Sequence, residues 1–266
     1  MRFGVVGHLE WCQFLAVERL PRSGDIVHVA DWWEEPAGGG AVAAVELVRL
    51  TGEADFFTAV GDDELGRRAR ARLQALGVRV HAAVRGEPTR RAVVFVDEGG
   101  ERTINVLGDK LVPRVRDPSL PWVELAGAEG VYFVSGDTDA VHAARRADVL
   151  VATARELPVL QEAAVELDAL VGSGEDEGER FQPGDLDPAP RLVVSTAGPL
   201  GGWSQPGGPF RPAELPGPYV DSYGAGDAFA LALTVALAEG REATDAVAYA
   251  AERGAAAVTR RGAHGP

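Results

Sequence analysis

The chain has 266 residues, 46% of them hydrophobic, which is enough to fill the core of one large α/β domain. Its formal charge of −14 is spread over short mixed clusters with no basic stripe, which argues against nucleic acid or an anionic membrane as the main partner. A single cysteine, Cys12, cannot close an internal disulfide, no apolar run approaches the roughly 20 residues of a membrane span, and His8 and Glu10 interrupt the first apolar stretch, so a cytoplasmic setting is the default expectation.

In chain order, Phe3 to Val6 reads as a buried strand that ends in a turn at Gly7. Trp11 to Leu20 and Asp25 to Trp33 mix polar and apolar residues at near-alternating spacing on either side of Pro21 to Gly24, and predict strands exposed on at least one face. The turn Ala37-Gly38-Gly39-Gly40 then feeds an alanine-rich helix that reaches about Leu50. Ala54 to Val60 is a strand, Asp62 or Asp63 can cap a helix to Leu76, and Gly77 ends it before a strand at Val78 to Val84. Ala92 to Asp97 and Arg102 to Val106 flank the turn Glu98-Gly99-Gly100 as a hairpin. Val131 to Val134, Val149 to Ala152, Ala169 to Val171 and Leu192 to Ser195 are short strands, with helices near Ala140 to Arg146 and Leu157 to Glu166. Gly172 to Asp187 and Pro199 to Pro218 read as loops, and the closing helix Ala243 to Val258 should pack beside the one starting near Asp227. Alternating β and α units imply a mostly parallel sheet covered by helices on both faces.

The stretch that carries chemistry is Asp221 to Phe229, reading Asp-Ser-Tyr-Gly-Ala-Gly-Asp-Ala-Phe. Its glycines let the turn bring N–H groups close to a ligand, and the apolar run Ala228 to Glu239 makes those amides the exposed first turn of a buried helix. Unpaired amides and the helix dipole favour negative charge there, such as a phosphoryl group in transfer. A carboxylate at the same place, Asp227, is unwelcome unless it takes the proton of an attacking hydroxyl. The plainer alternative is an aspartate that only caps the helix.

The order of these pieces resembles the ribokinase-like sugar kinases, the PfkB family, over nearly the whole chain. The resemblance rests on Ala37 to Gly40, Val60-Gly61-Asp62-Asp63-Glu64-Leu65-Gly66, Gly99 to Ile104, Ser195 to Gly201, Asp221 to Phe229 with Ser222 for the usual Thr, and Ala257 to Ala263. It implies one ribokinase-like kinase domain over residues 1–266, a three-layer α/β/α fold with a small β-sheet lid. The lid would come from residues 11–20 and 25–33 with part of 78–106, and would often pair two subunits into a homodimer. Trp32 and Trp33 suit a lid face covered by substrate or by a second subunit.

The resemblance also implies an ATP-dependent carbohydrate kinase using Mg²⁺ and, in many relatives, a monovalent cation such as K⁺. Asp227 matches the catalytic base, with Gly224, Ala225 and Gly226 stabilising the transferred phosphoryl. Thr196, Gly198, Gly201 and Ser173 match the nucleotide side, Gly38, Gly39 and Gly40 the acceptor side, and Asp221 the monovalent-cation loop. Asp221 could equally be a turn cap.

Two places depart from the family pattern. The usual Asn-x-x-Glu that organises Mg²⁺ is best matched by Ser173-x-x-Asp176, with Glu177 as competitor, in what could be a solvated acidic loop. Glu10 and Cys12 stand where an Asn and an Asp usually hold sugar hydroxyls, and the third glycine is followed by Ala41 where an Asn is usual. A site missing those groups rejects the sugar they read. Glu10 could hold a different polyol, Trp11 could stack on a sugar ring or a base, and His8 reads as a structural residue. The expected activity is phosphoryl transfer to a hydroxyl of a small sugar-like molecule. A nucleoside kinase and a catalytically weak binding module are the alternatives.

Overall fold

Two sheets organise the protein, a computed structural model of which describes residues 2–29 and 31–265. The larger holds β1 (Phe3–Val6), β4 (Ala54–Gly61), β5 (Val78–Arg85), β8 (Gly130–Phe133), β9 (Val149–Thr153), β10 (Ala169–Ser173), β11 (Leu192–Thr196), β12 (Gly202–Gln205) and β13 (Gly208–Phe210). Its strand order is β13-β12-β11-β10-β9-β8-β1-β4-β5, parallel except for the β12–β13 hairpin at one edge. The smaller sheet has the order β3-β2-β6-β7, from β2 (Glu10–Ala16), β3 (Asp31–Ala37), β6 (Arg91–Val96) and β7 (Arg102–Leu107).

Strands β1, β4 and β8 are buried along their whole length, because helices cover both faces of the sheet. Successive side chains therefore feed two cores. Val5, Phe56 and Tyr132 join the core beneath α1 (Gly39–Thr51), α2 (Glu64–Ala75), α5 (Ala225–Ala238) and α6 (Ala243–Ala257). Val6, Phe57, Val131 and Phe133 join the core beneath α3 (Thr138–Ala144) and α4 (Leu157–Ala163). The result is the expected three-layer α/β/α fold, and α5 and α6 do pack side by side. Helix α5 is buried from Ala228 to Ala236, and its one polar residue there, Thr234, donates to the Ala230 carbonyl at 2.9 Å. Asp63, not Asp62, caps α2, accepting from Gly66 N at 2.7 Å.

Several expected boundaries differ. Strand β2 stops at Ala16, and none of its residues is exposed: Cys12 and Phe14 pack on Val42 and Tyr223, while Trp11 faces α2. The near-alternation at 11–16 thus reflects two covered faces rather than one wet one. Residues 25–29 form no strand, Ala30 lies outside the described residues, and β3 begins at Asp31. It runs through Pro36, which an edge strand tolerates because it need not donate to a neighbour there. Of residues 78–106, Arg91–Val96 and the strand from Arg102 lie in the small sheet, and Val78–Arg85 lies in the large one. The Gly- and Pro-rich stretch 199–218, expected as loop, contains the β12–β13 hairpin.

Candidate active site

The carboxyl ends of β1 and β8 and the amino ends of α1 and α5 meet at one place. Gly7 and Gly40 make this possible: a Cβ on Gly40 would fall 2.6 Å from the His8 carbonyl, and one on Gly7 3.0 Å from Gly40 Cα. Helix α1 therefore starts pressed against the end of the central strand, at the crevice where open α/β sheets bind ligands.

Gly224 caps α5 in the left-handed conformation, at φ 77°. Ala225, Gly226 and Asp227 form the first turn, and no side chain caps it among the described residues. The first-turn amides have no acceptor within the helix, and a Cβ on Gly226 would meet nothing within 4 Å, so the turn opens on free space there. This is the geometry of an anion site. Asp227 does not cap its own helix. Its Oδ1 accepts from the Tyr132 hydroxyl at 3.3 Å and lies 2.8 Å from where a Gly39 Cβ would be. Burial, and then the negative charge of Glu179, raises the Asp227 pKa to about 6, against the Tyr132 hydrogen bond and the charges of Arg102 and Arg155. A carboxylate poised near neutral pH suits a general base.

The turn is tied on both sides. Asp221, fully buried, accepts from Tyr223 N at 2.9 Å and Gly262 N at 2.7 Å, and burial raises its pKa. Its carboxylate thus closes the loop onto the chain's final turn. Gly38 N donates to the Tyr223 hydroxyl at 3.3 Å. From β7, the Arg102 guanidinium donates to the Ser222 carbonyl at 2.6 Å and to its hydroxyl at 2.9 Å.

Among the residues expected to face an acceptor, a Cβ on Gly38 would sit 3.1 Å from both Glu10 Cγ and His8 Cδ2. Gly38, Gly39, Glu10 and Asp227 are therefore together. Gly40 turns instead toward β1. The Glu10 carboxylate meets Arg90 at 3.1 Å and His8 at 3.6 Å, and burial raises its pKa against the charges of Arg90 and Lys110. His8 Nδ1 lies 3.1 Å from Ser135 Oγ, and burial with three nearby cations lowers its pKa to about 3, so the ring is neutral. Trp11 is not at this place. It lies on the other face of β2, with the Arg68 guanidinium 4.4 Å above its indole.

Ser173, Thr196, Gly198 and Gly201 gather at the carboxyl ends of β10 and β11. Ser173 pairs with Thr196 in the sheet register, Gly174 N donates to the Thr196 carbonyl at 2.8 Å, and Ala197 N to Gly201 O at 2.8 Å. A cavity of about 170 Å³ beside them is lined by Ser173 and Glu179 but not by Asp227.

The acidic residues of this loop separate. Glu177 is 86% exposed and turns to Arg180, whereas Asp176 accepts from Gly178 N at 2.8 Å and pairs with Arg155. Glu179, which the Ser173-x-x-Asp176 spacing passes over, also pairs with Arg155 and is the acid that reaches Asp227 in charge. The clue in the sequence is Gly172: a Cβ there would strike the Glu179 carbonyl at 2.4 Å, so the loop folds back over the strand. Tyr132, Arg155 and Arg102 were likewise not singled out. Arg102 alone had a signal, its place in Gly99 to Ile104.

Comparison with known proteins gives the family. The description "pfkB family carbohydrate kinase" matches residues 4–136 and 140–266. The chain is 29% identical to an ATP-dependent ribose-1-phosphate kinase of Halopiger xanaduensis, over 97% of this chain and 92% of that one. In structure it is similar to a putative ribokinase from Agrobacterium tumefaciens, with TM-score 0.82, 20% identity and coverage of 99% and 93%. It is also similar to adenosine kinase from Sinorhizobium meliloti, with TM-score 0.78, 18% identity and coverage of 100% and 95%. The chain belongs to the pfkB family of carbohydrate kinases, the ribokinase-like ATP-dependent phosphotransferases that act on sugars or nucleosides.

Proposed function

We propose that the chain transfers the γ-phosphoryl group of ATP to a hydroxyl of a small sugar or sugar-like molecule, with Asp227 as general base. The observation that carries this is the pairing of a half-buried carboxylate of raised pKa with open helix-terminal amides in one turn. The acceptor hydroxyl gives its proton to Asp227 as its oxygen bonds to the γ-phosphorus, the bond to the β–γ bridging oxygen breaks, and ADP leaves. The Gly224, Ala225 and Gly226 amides stabilise the charge on the transferred group, and Ser173, Thr196, Gly198 and Gly201 line the nucleotide.

The oxygen donors of Asp176 and Glu179 would hold Mg²⁺ better than the outward-turned Glu177, and the ion would supply positive charge against the phosphates. Asp221 would support a K⁺ loop by fixing the backbone at Tyr223 and Gly262, whose amides it accepts from. The exposed side chains of Ile104, Val106 and Leu107 on β7 and of Trp32 on β3 favour pairing of two subunits through the small sheet, which light scattering tests directly.

A nucleoside acceptor would need a flat aromatic surface beside Gly38 and Gly39, and Trp11 faces away from them. The relative's activity on ribose-1-phosphate keeps sugar phosphates among the compounds to try. ADP release measured across sugars, polyols, sugar phosphates and nucleosides tests the reading. Turnover of nucleosides alone would overturn it, and nucleotide binding with no turnover of any compound would leave a binding module.

A further inference from the structure

In a chain whose net charge is −14, Arg90 just before β6 pairs with Glu10 beside Gly38, and the charges of Lys110 after β7 and Arg155 after β9 also bear on His8. Lys110 is the chain's one lysine. All three reach His8 in charge, and with burial they hold its ring neutral. Arg155 is committed to Asp176 and Glu179. The other two rest on carboxylates that are themselves nearly buried, Arg90 on Glu10 at 3.1 Å and Lys110 on Glu156. Arg90 still has an unused donor, since its Nε is buried without a partner.

Burying ion pairs is costly, and a pocket for neutral hydroxyls gains nothing from two of them. A phosphate monoester changes the balance. It is a dianion near neutral pH, and it accepts from an arginine fork and a lysine ammonium together. The raised pKa of Glu10 lets that carboxyl take up a proton when a second anion arrives, which limits repulsion between them. The two ends are also close. Gly38, beside Glu10 and His8, and Gly39, beside Asp227, are consecutive residues, so the Arg90–Glu10 pair and Asp227 flank one short turn.

We propose that the acceptor is a phosphorylated sugar, its phosphate held by Arg90 and Lys110 beside His8 and its free hydroxyl presented to Asp227. This rests on the kinase reading above and names the class of substrate for that site.

The experiment uses the full chain with neutral aldoses, their phosphate monoesters and the corresponding sugar acids, in calorimetry without nucleotide and in steady-state kinetics with ATP. Phosphate esters are expected to bind, and to exceed neutral sugars in kcat/KM by roughly 100-fold or more. Arg90→Gln and Lys110→Gln should each cut that ratio about tenfold or more through KM, while Arg90→Lys and Lys110→Arg keep most of it. Thermal unfolding of each variant separates loss of binding from loss of fold, and the wild-type ratio decides the matter where a variant does not fold.

Equal or better use of neutral sugars, a preference for sugar acids, or Gln variants that slow ester and neutral sugar alike would overturn the phosphate subsite and leave the kinase reading standing. Ester binding that depends on Arg90 and Lys110, with no turnover of any acceptor, would support the subsite and overturn the kinase reading.

Discussion

Asp227→Asn separates the chemistry of the proposed base from its shape. The asparagine Oδ1 still accepts from the Tyr132 hydroxyl, now 3.3 Å from the aspartate, so the pocket keeps its geometry. Deleting a positioned base should lower kcat by about 10²- to 10⁴-fold, with binding of ATP and acceptor retained. Stability moves the opposite way. Burial raises the Asp227 pKa from 3.8 to about 6, so the folded chain holds this proton more tightly than the unfolded chain does. At pH values below both pKa values each state is protonated and nothing is lost. As pH rises from about 4 to about 6 the unfolded state releases its proton first, and stability falls. Above that window the ionised carboxylate costs on the order of 3 kcal/mol, taking about 1.4 kcal/mol per pH unit of displacement.

Asparagine carries no such cost. The variant should therefore be about 2 to 3 kcal/mol more stable than the wild type at pH 8, and the gain should shrink toward zero at about pH 4. Coupled ADP release and urea unfolding at both pH values read the two effects. In the wild type the same pKa should make kcat/KM fall tenfold per pH unit below about 6. Turnover within a few-fold of wild type, or a stability difference independent of pH, would refute the assignment of Asp227.

Gly39→Ala puts a methyl 2.8 Å from both Asp227 Oδ1 and Val134 Cγ1, so it should displace the base and cost about 100-fold in kcat, measured at saturating ATP. Gly224→Ala forces a side chain at φ 77° to within 2.7 Å of Val42 Cγ1, and should destabilise by about 1 to 3 kcal/mol in chemical denaturation. Glu179→Gln removes the charge that helps raise the Asp227 pKa, so the acidic limb of the pH–rate profile should move below about 6. If the residue also organises Mg²⁺, the half-saturating Mg²⁺ concentration should rise about tenfold. Asp221→Asn loses one of two amide acceptors, and activity should drop and lose any preference for K⁺ over Na⁺, as a cation titration of both proteins shows. Indifference of the wild type to the cation leaves Asp221 as a loop latch alone.

The turn that carries Asp227 was legible because its pattern is local. Gly224, Gly226 and Asp227 lie within four residues, and the apolar run behind them fixes which end of the helix is open. The central strands were legible for a similar reason, since β1, β4 and β8 are short apolar runs buried on both faces. What escaped depends on contacts far apart in sequence. Tyr132 reaches Asp227 from 95 residues away, and Arg102 reaches Ser222 from 120. Nothing near Tyr132 marks it, and the stretch Gly99 to Ile104 around Arg102 does not say which residue it reaches. Glu179 was missed because motif spacing assumes a regular strand exit, whereas this loop doubles back over Gly172. Trp11 was placed near substrate because one strand offers two faces, and only the packing of α2 decides which one it uses.

The two sheets end in different ways, and this bears on how the protein behaves when concentrated. The large sheet closes on one side with β13, a three-residue strand containing Pro209 that offers little to an incoming chain. Its other border, β5, carries Arg79 and His81 held on Asp55. The small sheet has Pro36 in its outer strand β3, but its opposite border, β7, is six residues long, exposed throughout and free of proline. That border is a ready template for a further strand. Aggregation during overexpression should therefore start at β7, and a lysine in place of Ile104 or Val106 should raise the concentration at which the protein stays dispersed.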